Sequence, residues 1–224
     1  MSEKIWISSV LSSSSIFDKP GTRTKFYDKE WNPAQFKIPL SPEHVYAAST
    51  RHKQGYSLKR SEFPEALAVF DEKRFSQLHD IFYAGPFLAV KRKLADVLSR
   101  FDLGEGGLIP FPIYKSDLVT PMEGEYFLLN FGARKNSFLP ERSEDAQKFL
   151  VLKDTGQQIW KVNYLKEDGV VAITSNAREG ADLWFEVAAH NKIFMNDALA
   201  LALQEAGLAD DWRLKQCRIL ETAQ

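Results

Sequence analysis

Cysteine, net charge and long apolar runs are all scarce in this chain of 224 residues. The single cysteine, Cys217, excludes an intrachain disulfide and is typical of a reducing compartment. The net charge of −1 argues against a general nucleic-acid binder, whose surface is usually strongly basic. No run approaches the roughly 20 apolar residues of a membrane span. Serines interrupt the apolar residues near the N-terminus, which argues against a signal peptide. These absences predict a soluble, cytoplasmic protein that does not contact a membrane.

Motifs that carry catalysis or bind metals are missing as well. No two of the four histidines stand three or four residues apart, and none is at a zinc-ligand spacing from the cysteine. The sequence has no nucleophile elbow, no phosphate-binding loop and no dinucleotide fingerprint. The glycine-rich stretch 104–107 follows a predicted helix instead of preceding one, so we interpret it as a connector. The sequence therefore predicts no catalytic residue, no cofactor and no metal ligand.

Apolar residues, in contrast, are plentiful. They make up 44% of the chain and include 16 Phe and five Trp, which is sufficient for the core of one domain. We predict a single α+β domain over residues 1–224. Within it, residues 1–60 are predicted to form an irregular, basic N-terminal subdomain, because residues 18–60 contain nine Lys and Arg against four Asp and Glu. Residues 61–224 are the main body. The basic segment is either a solvated loop face or a patch for an acidic ligand.

Two stretches of the sequence, 87–114 and 192–219, match each other at a shift of 105 positions. Leu94 corresponds to Leu199, and both lie in apolar stripes of helical spacing. Asn196 is a good N-cap for the second helix. Each copy is predicted to be a short apolar segment, an amphipathic helix, a tight stop and an extended segment. The match raises the hypothesis of a duplicated strand-helix-strand unit; the alternative is a chance alignment of two amphipathic helices.

Short β segments dominate the second half of the chain. Residues 125–187 are predicted to form a β-hairpin meander, because alternating apolar residues are separated by turn sequences. Upstream, residues 44–50 are predicted to form a strand and residues 62–84 a helix in two pieces. Runs of antiparallel strands with flanking amphipathic helices predict the α+β class with an antiparallel or mixed sheet. The middle segments of the meander are 148–153, 158–166 and 170–174.

The last part of the chain is acidic. Residues 178–212 contain seven Asp and Glu against one Arg and one Lys. This stretch is either a solvated acidic face or a recognition surface for a basic protein, since aromatic anchors within charged rims are typical of protein interfaces. The residues predicted to contact such a partner are Asp182, Trp184, Glu186, Asp210, Asp211 and Trp212.

A resemblance to a known family is carried by four segments: LADVLSRFDLGEGGLIPFPIY, EYFLLNF, LWFE and IFMNDALALALQEAGL. Their recurring pattern is an apolar strand end, a helix that stops at Ala-Gly-Leu or Asp-Leu-Gly, and a final strand. Over residues 63–219 the chain resembles bacterial immunity proteins of polymorphic-toxin and contact-dependent secretion systems, the group first described from myxobacteria. Lys91 departs from the pattern, since a small N-cap such as Ser is expected there.

The resemblance implies a cytoplasmic protein that binds and neutralises a cognate toxin domain, by docking over its active site and without catalysis of its own. Two alternatives stay open from the residues themselves. One is a small enzyme, a hydrolase or transferase, with a dispersed site of His, Asp and Glu. The other is a nucleic-acid or phosphate binder that uses Arg51, Lys53, Lys59 and Arg60.

Overall fold

Short strands and helices follow one another in an order that is not strictly alternating, and the strands group into antiparallel and mixed sheets. The computed structural model describes residues 4–14, 16, 21–27, 43–153, 155–162 and 167–221. The predicted α+β class is confirmed. Within these ranges, no helix has both the length and the apolar character needed to cross a membrane.

The α-helices of the described residues are α1 (Glu43–His52), α2 (Glu72–Ser76), α3 (Arg92–Leu98) and α4 (Asp197–Glu205). The strands are β1 (Ile5–Ser8), β2 (Thr22–Lys25), β3 (Ala66–Val69), β4 (Ile81–Ala84), β5 (Phe87–Lys91), β6 (Gly107–Pro110), β7 (Ile113–Lys115), β8 (Tyr126–Asn130), β9 (Arg134–Lys135), β10 (Ala146–Val151), β11 (Gln158–Val162), β12 (Ala172–Thr174), β13 (Leu183–Glu186), β14 (Ile193–Asn196), β15 (Leu214–Gln216) and β16 (Arg218–Leu220).

Two sheets of this fold share one plan. The first has the order β4-β5-β8-β6, and the second contains the order β13-β14-β1-β15 with β9 added beside β13. All neighbours in the two four-strand sets are antiparallel. In each set the second strand leads directly into a helix, α3 after β5 and α4 after β14. The hypothesis of a duplicated strand-helix-strand unit is therefore confirmed at the level of topology.

The pairing register agrees with the shift found in the sequence. Val90 pairs with Ile81, and Met195, which stands 105 positions after Val90, pairs with Leu183 in the corresponding strand. The N-cap prediction for α4 is also confirmed, because the Asn196 side chain accepts a hydrogen bond from the Leu199 N–H at 2.9 Å. At the matching start of α3, Lys91 makes no side-chain cap.

The strand that completes the second copy comes from the N-terminal end of the chain. In the first copy this place belongs to β8, which follows β6 in sequence, whereas in the second copy it belongs to β1. The indole N–H of Trp6 in β1 donates to the Asp197 carboxylate at 2.8 Å and so fastens the strand to α4. Residues 5–8 therefore belong to a central strand of the main body and not to a separate N-terminal subdomain.

The duplication extends to two smaller parallel pairs. β3 pairs with β7 and β12 pairs with β16, both in parallel. Leu67 lies opposite Ile113 in the first pair, and Ile173 lies opposite Ile219 in the second. The edge position of β6 agrees with its Pro110, since Pro lacks the N–H that a central strand needs, and Pro112 directly precedes the edge strand β7.

The two copies pack against each other through their helices. α3 contacts α4, and the segment after each helix reaches the other copy. The Asp102 N–H donates to the Asp182 carboxylate at 2.7 Å, and His79 Nδ1 lies 2.7 Å from the Asp211 carboxylate. The shared core buries no polar side chain from α3 or α4, because the inner faces of these two helices are aliphatic. These buried helix residues are Leu94, Ala95, Val97, Leu98, Leu199, Ala200 and Leu203.

Two local predictions were wrong. Residues 44–50 lie in α1, where Val45, Ala48 and His52 are buried on one face of the helix. Burial of this face in the core outweighs the strand preference of the β-branched residues. Residues 62–84 contain β3, α2 and β4 instead of a long helix. All residues of β3 and β4 are buried, and a continuous apolar run of this kind does not distinguish a buried strand from a buried helix.

The predicted meander is present only in its first hairpin. β10 and β11 pair with each other as an antiparallel hairpin, as predicted. β12 does not continue this hairpin; it pairs in parallel with β16 from the end of the chain. Turn sequences predict the pairing of strands that are adjacent in the chain. β12 and β16 are distant in the chain, and their parallel pairing depends on how the two copies of the unit pack.

An aromatic cluster surrounds a buried histidine in the first copy. His52 is inaccessible to solvent, and its ring lies 5.7, 5.4 and 5.0 Å from the rings of Phe63, Phe87 and Phe131. Its Nε2 accepts a hydrogen bond from the Leu88 N–H at 3.3 Å, and its Nδ1 has no hydrogen-bond partner among the described residues. Burial, and to a lesser extent Lys53, lowers the pKa of His52 to about 3. The imidazole is therefore neutral at neutral pH.

This pKa predicts an acid-sensitive stability. Because the folded-state pKa of His52 lies below the unfolded value near 6.5, stability is fully present above about pH 6.5 and is lost as pH falls toward 3. The loss should be about 1.4 kcal/mol per pH unit. Urea unfolding at pH 6.5 and pH 5 should give a free-energy difference about 2 kcal/mol larger for the natural protein than for His52→Gln. His44→Gln, exposed on the same helix, is the control. Equal losses of unfolding free energy between pH 6.5 and pH 5 in the natural protein and in His52→Gln would contradict the low pKa of His52.

Candidate binding pocket and surface

The acidic residues predicted to contact a partner do not form one surface. Trp184, Glu186 and Trp212 are buried, with 0%, 2% and 0% of each residue exposed, so none of the three is available to a docked protein. Asp210 is exposed and Asp211 is partly exposed. Asp211 contacts His79, and burial raises its pKa despite that neighbour. Asp182 is partly exposed, and its carboxylate accepts hydrogen bonds from the Asp102 N–H and the Asn196 amide.

Glu186 has a structural role inside the second copy. Its carboxylate accepts hydrogen bonds from the Ser137 N–H at 2.7 Å, the Phe138 N–H at 3.0 Å and the Trp184 indole at 2.8 Å, and a fourth from the Ser137 hydroxyl. The ammonium of Lys135 lies 3.5 Å from the centre of the Trp184 ring. A buried carboxylate with four donors is stabilised in place, which explains an acidic residue in a core strand.

The two copies differ most in what is inserted into them. In the first copy, Thr24 of β2 pairs with Leu67 of β3, and α1 lies between these strands in the chain. In the second copy, Phe138 bridges Ile173 of β12 at the corresponding place, and the β10–β11 hairpin lies between them. α1 and the hairpin are therefore different insertions at one position of the duplicated unit. Each insertion also contributes buried side chains to the protein, among them Val45 of α1 and Val162 of β11.

A cavity of about 440 Å³ lies between these two insertions. We call it the cationic pocket. One wall comes from α1 and the turn that follows it, a second comes from the hairpin, and the base comes from β9 and the segment that follows β13. The residues that line it are Tyr46, Ser49, Thr50, Lys53, Gln54, Arg134, Leu150, Leu152, Ile159, Phe185, Glu186, Val187, Ala189, His190 and Asn191.

Two cationic side chains, Lys53 and Arg134, line the cationic pocket, and His190 beside them is kept neutral by its surroundings. Burial lowers the pKa of His190, and Lys161, Lys192 and Lys53 lower it further. Lys192 is itself buried, and this burial together with Lys161 lowers its pKa to about 8. The one carboxylate in the lining belongs to Glu186, whose oxygens already accept four hydrogen bonds. Lys53 and Arg134 thus face a single carboxylate among the described lining residues, which leaves an excess of positive charge.

Arg134 is held in position by an aromatic ring. Its guanidinium carbon lies 4.0 Å from the centre of the Tyr56 ring, and its backbone is part of β9, which pairs in parallel with β13. The Nε–H of Arg134 is buried and has no hydrogen-bond acceptor among the described residues. In the part of the chain that the structure describes, neither Arg134 nor Lys53 forms an ion pair with Asp or Glu. Both are therefore available to an anion.

The hairpin presents apolar side chains to solvent beside the cationic pocket. Phe149, Leu150 and Val151 of β10 are 48%, 39% and 55% exposed, and we call these three residues the hairpin face. Within the described ranges, β11 is the only strand that pairs with β10, so the outer edge of β10 is free. The Phe149 ring lies 4.5 Å from the ring of His190, which connects the hairpin face to the pocket.

The pocket has the chemistry of a binding site. The hydroxyls of Ser49 and Thr50 both donate to the Tyr46 carbonyl oxygen, at 2.9 and 3.0 Å, so neither is paired with a base. Among the described residues, no group of three or more His, Cys, Asp and Glu is placed to hold a metal ion. Two other cavities, beside β6 and β8, are more open and are lined largely by Pro110, Pro112 and Tyr126 or by charged surface residues.

The fold and this site define an α+β protein that is built from a duplicated unit and carries a cationic pocket between two insertions. The sequence matches no protein-family model, and it matches none of the curated proteins with which it was compared.

Two residues of this pocket are among those that the sequence singles out. Lys53 belongs to the phosphate-binding alternative and Glu186 to the predicted partner contacts, while Arg134, His190 and the hairpin face are not predicted. Of the other basic residues of that alternative, Arg51 pairs with Glu62 at 2.6 Å, Arg60 donates to backbone carbonyls, and Lys59 is exposed outside the pocket. The hairpin face has a signal in the sequence, because Phe149-Leu150-Val151 are three successive apolar residues in a hairpin between polar turns.

Proposed function

We propose that this protein binds another protein through the hairpin face, as an immunity-type protein that neutralises a cognate bacterial toxin domain in the cytoplasm. It does so by covering the toxin and performs no bond-making chemistry of its own. The resemblance of residues 63–219 to immunity proteins supports the toxin as the partner. The exposed apolar residues of the hairpin support the position of the binding surface. This position differs from that of the acidic residues predicted from the sequence.

The observation that carries this proposal is the exposed strand β10, whose outer edge pairs with no strand among the described residues. An edge strand with free N–H and C=O groups accepts an added strand from a partner, and proteins that do not use such an edge usually protect it with charge or proline. β10 carries one such charge, Lys148, but the three residues that follow it, Phe149, Leu150 and Val151, are apolar and partly exposed. Apolar surface of this kind, next to polar and charged groups, is typical of a protein interaction site.

A substitution at the hairpin face tests this proposal against a matched control. Val151→Lys places a charge on the 55% exposed edge strand, and Val119→Lys makes the same change at a 77% exposed valine outside the hairpin. The assay uses a candidate toxin domain, with growth rescue and a dissociation constant as readouts. We expect Val151→Lys to weaken binding at least about tenfold, the effect of roughly 1.4 kcal/mol, and to reduce rescue.

The control variants distinguish a wrong choice of binding surface from a failure of the immunity function itself. Val119→Lys should bind and rescue like the natural protein. Equal binding by Val151→Lys and the natural protein would reject the hairpin face, and a parallel loss in Asp210→Lys would favour the acidic surface instead. Absence of both binding and rescue with the natural protein would reject the immunity function itself.

A further inference from the structure

We infer that the cationic pocket receives an acidic segment of the partner protein, with a carboxylate placed between Lys53 and Arg134. This inference rests on the proposed function, because it names the chemistry of the partner at the same face. It assigns the pocket a role in choosing the partner, beyond the apolar contact that the hairpin face supplies.

The first support is the charge balance of the pocket. Lys53 and Arg134 line it against one carboxylate, Glu186, and neither cation forms an ion pair within the described ranges. The Nε–H of Arg134 is buried without an acceptor. A buried donor that lacks a partner costs free energy, and a guanidinium whose plane is fixed by Tyr56 is suited to bidentate binding of a carboxylate.

The second support is the mixed lining of the pocket. Leu150, Ile159 and Phe185 contribute apolar surface beside the cations. The volume of about 440 Å³ greatly exceeds the roughly 30 Å³ of one water molecule, so a single small anion would leave most of the cavity to solvent. An Asp or Glu side chain together with an apolar neighbour uses both kinds of surface.

The third support is continuity with the hairpin face. Leu150 belongs to both the hairpin face and the pocket lining, and the Phe149 ring contacts His190. An extended segment added along β10 would therefore pass the mouth of the pocket and could place one side chain inside it. A free phosphate or a nucleic acid accounts for the charge only, and leaves the exposed apolar strand unexplained.

The test uses the full chain and defined probes. A peptide of six residues with Asp among β-branched residues, its Asp→Asn counterpart and inorganic phosphate are each titrated into ¹⁵N-labelled protein. The readout is the Nε–H resonance of Arg134, which reports directly on an acceptor at that atom. We expect the acidic peptide to shift this resonance and the Asn peptide to bind at least tenfold more weakly.

Variants locate the binding. Lys53→Gln and Arg134→Gln should each weaken the acidic peptide at least fivefold, whereas Lys59→Gln, an exposed lysine outside the pocket, should not. Arg134→Gln is read by the backbone resonances of residues 187–191, since it lacks the reporter. Binding by phosphate with no binding by the acidic peptide would overturn the inference, and so would no binding by any probe.

The toxin assay distinguishes the two proposals. If the natural protein rescues growth and Lys53→Gln and Arg134→Gln bind the toxin as tightly as it does, the pocket has no role in the complex and this inference fails while the immunity function stands. If the natural protein neither binds nor rescues, the immunity function fails, and the peptide titration still decides whether the pocket accepts a carboxylate.

Discussion

Glu186→Ala is expected to lower the free energy of unfolding by about 4 kcal/mol, because the substitution leaves four buried donors without their acceptor. Each hydrogen bond to a charged group contributes roughly 1.5–3 kcal/mol, and relaxation of the neighbours keeps the total below the sum. The donors from Ser137 and Phe138 fix the start of the segment that leads to the hairpin. We therefore also expect this segment to lose protection from hydrogen exchange.

Two further variants make the measurement specific. Glu186→Gln keeps the size of the side chain but supplies one acceptor oxygen and turns an N–H₂ group toward donors, so we expect an intermediate loss of about 2 kcal/mol. Glu205→Ala, at an exposed position of α4, should change stability by less than about 0.5 kcal/mol. Chemical denaturation compares all three variants. Similar stabilities for Glu186→Ala and Glu205→Ala would show that the buried hydrogen bonds contribute little.

Gly132→Ala is the second change with a large expected effect. A Cβ atom at this position would lie 1.9 Å from the Gly106 nitrogen and 2.5 Å from the Glu105 carbonyl carbon. These are backbone atoms, so no rotamer change relieves the overlap, and the loop after α3 has to move away from the end of β8. We expect a loss of at least about 3 kcal/mol or a failure to fold, since overpacking of a rigid site reaches this range.

Gly180→Ala provides the control for Gly132→Ala. Gly180 has a φ of +73°, and a Cβ there would meet no atom within 4 Å. Its substitution therefore carries only the backbone strain of the left-handed conformation, about 1 kcal/mol. Thermal or chemical unfolding should rank Gly132→Ala well below Gly180→Ala. Equal stabilities would mean that the close approach of the two backbones is relieved at little cost.

The duplicated scaffold explains why function would concentrate in the insertions. The sheets and helices of both copies are committed to a shared core, and their inner faces are buried. α1 and the hairpin contribute some buried side chains, such as Val45 and Val162, but much of their outer surface is exposed, so the exposed residues can change without loss of the fold. Lys53 and Leu150 come from these two insertions and meet across the cationic pocket.

Parts of the site could be predicted, and the reason is local in each case. The hairpin was found because its turn and alternation are encoded in consecutive residues. The cationic pocket was not found, because Lys53, Arg134 and His190 are far apart in the chain and meet only through the fold. The acidic surface was overestimated for a related reason, since a sequence count of charges does not reveal that Glu186 points into the core.

By itself, the sequence determined the α+β class, the repeated unit at a shift of 105 positions and the N-cap of α4. These depend on periodicity and on side chains that contact their own neighbourhood. Only the tertiary structure decided that β1 completes the second copy and that residues 44–50 are helical. It also decided that the two insertions enclose a pocket. Pairing between distant segments depends on which apolar faces remain uncovered, and no short stretch of sequence contains that information.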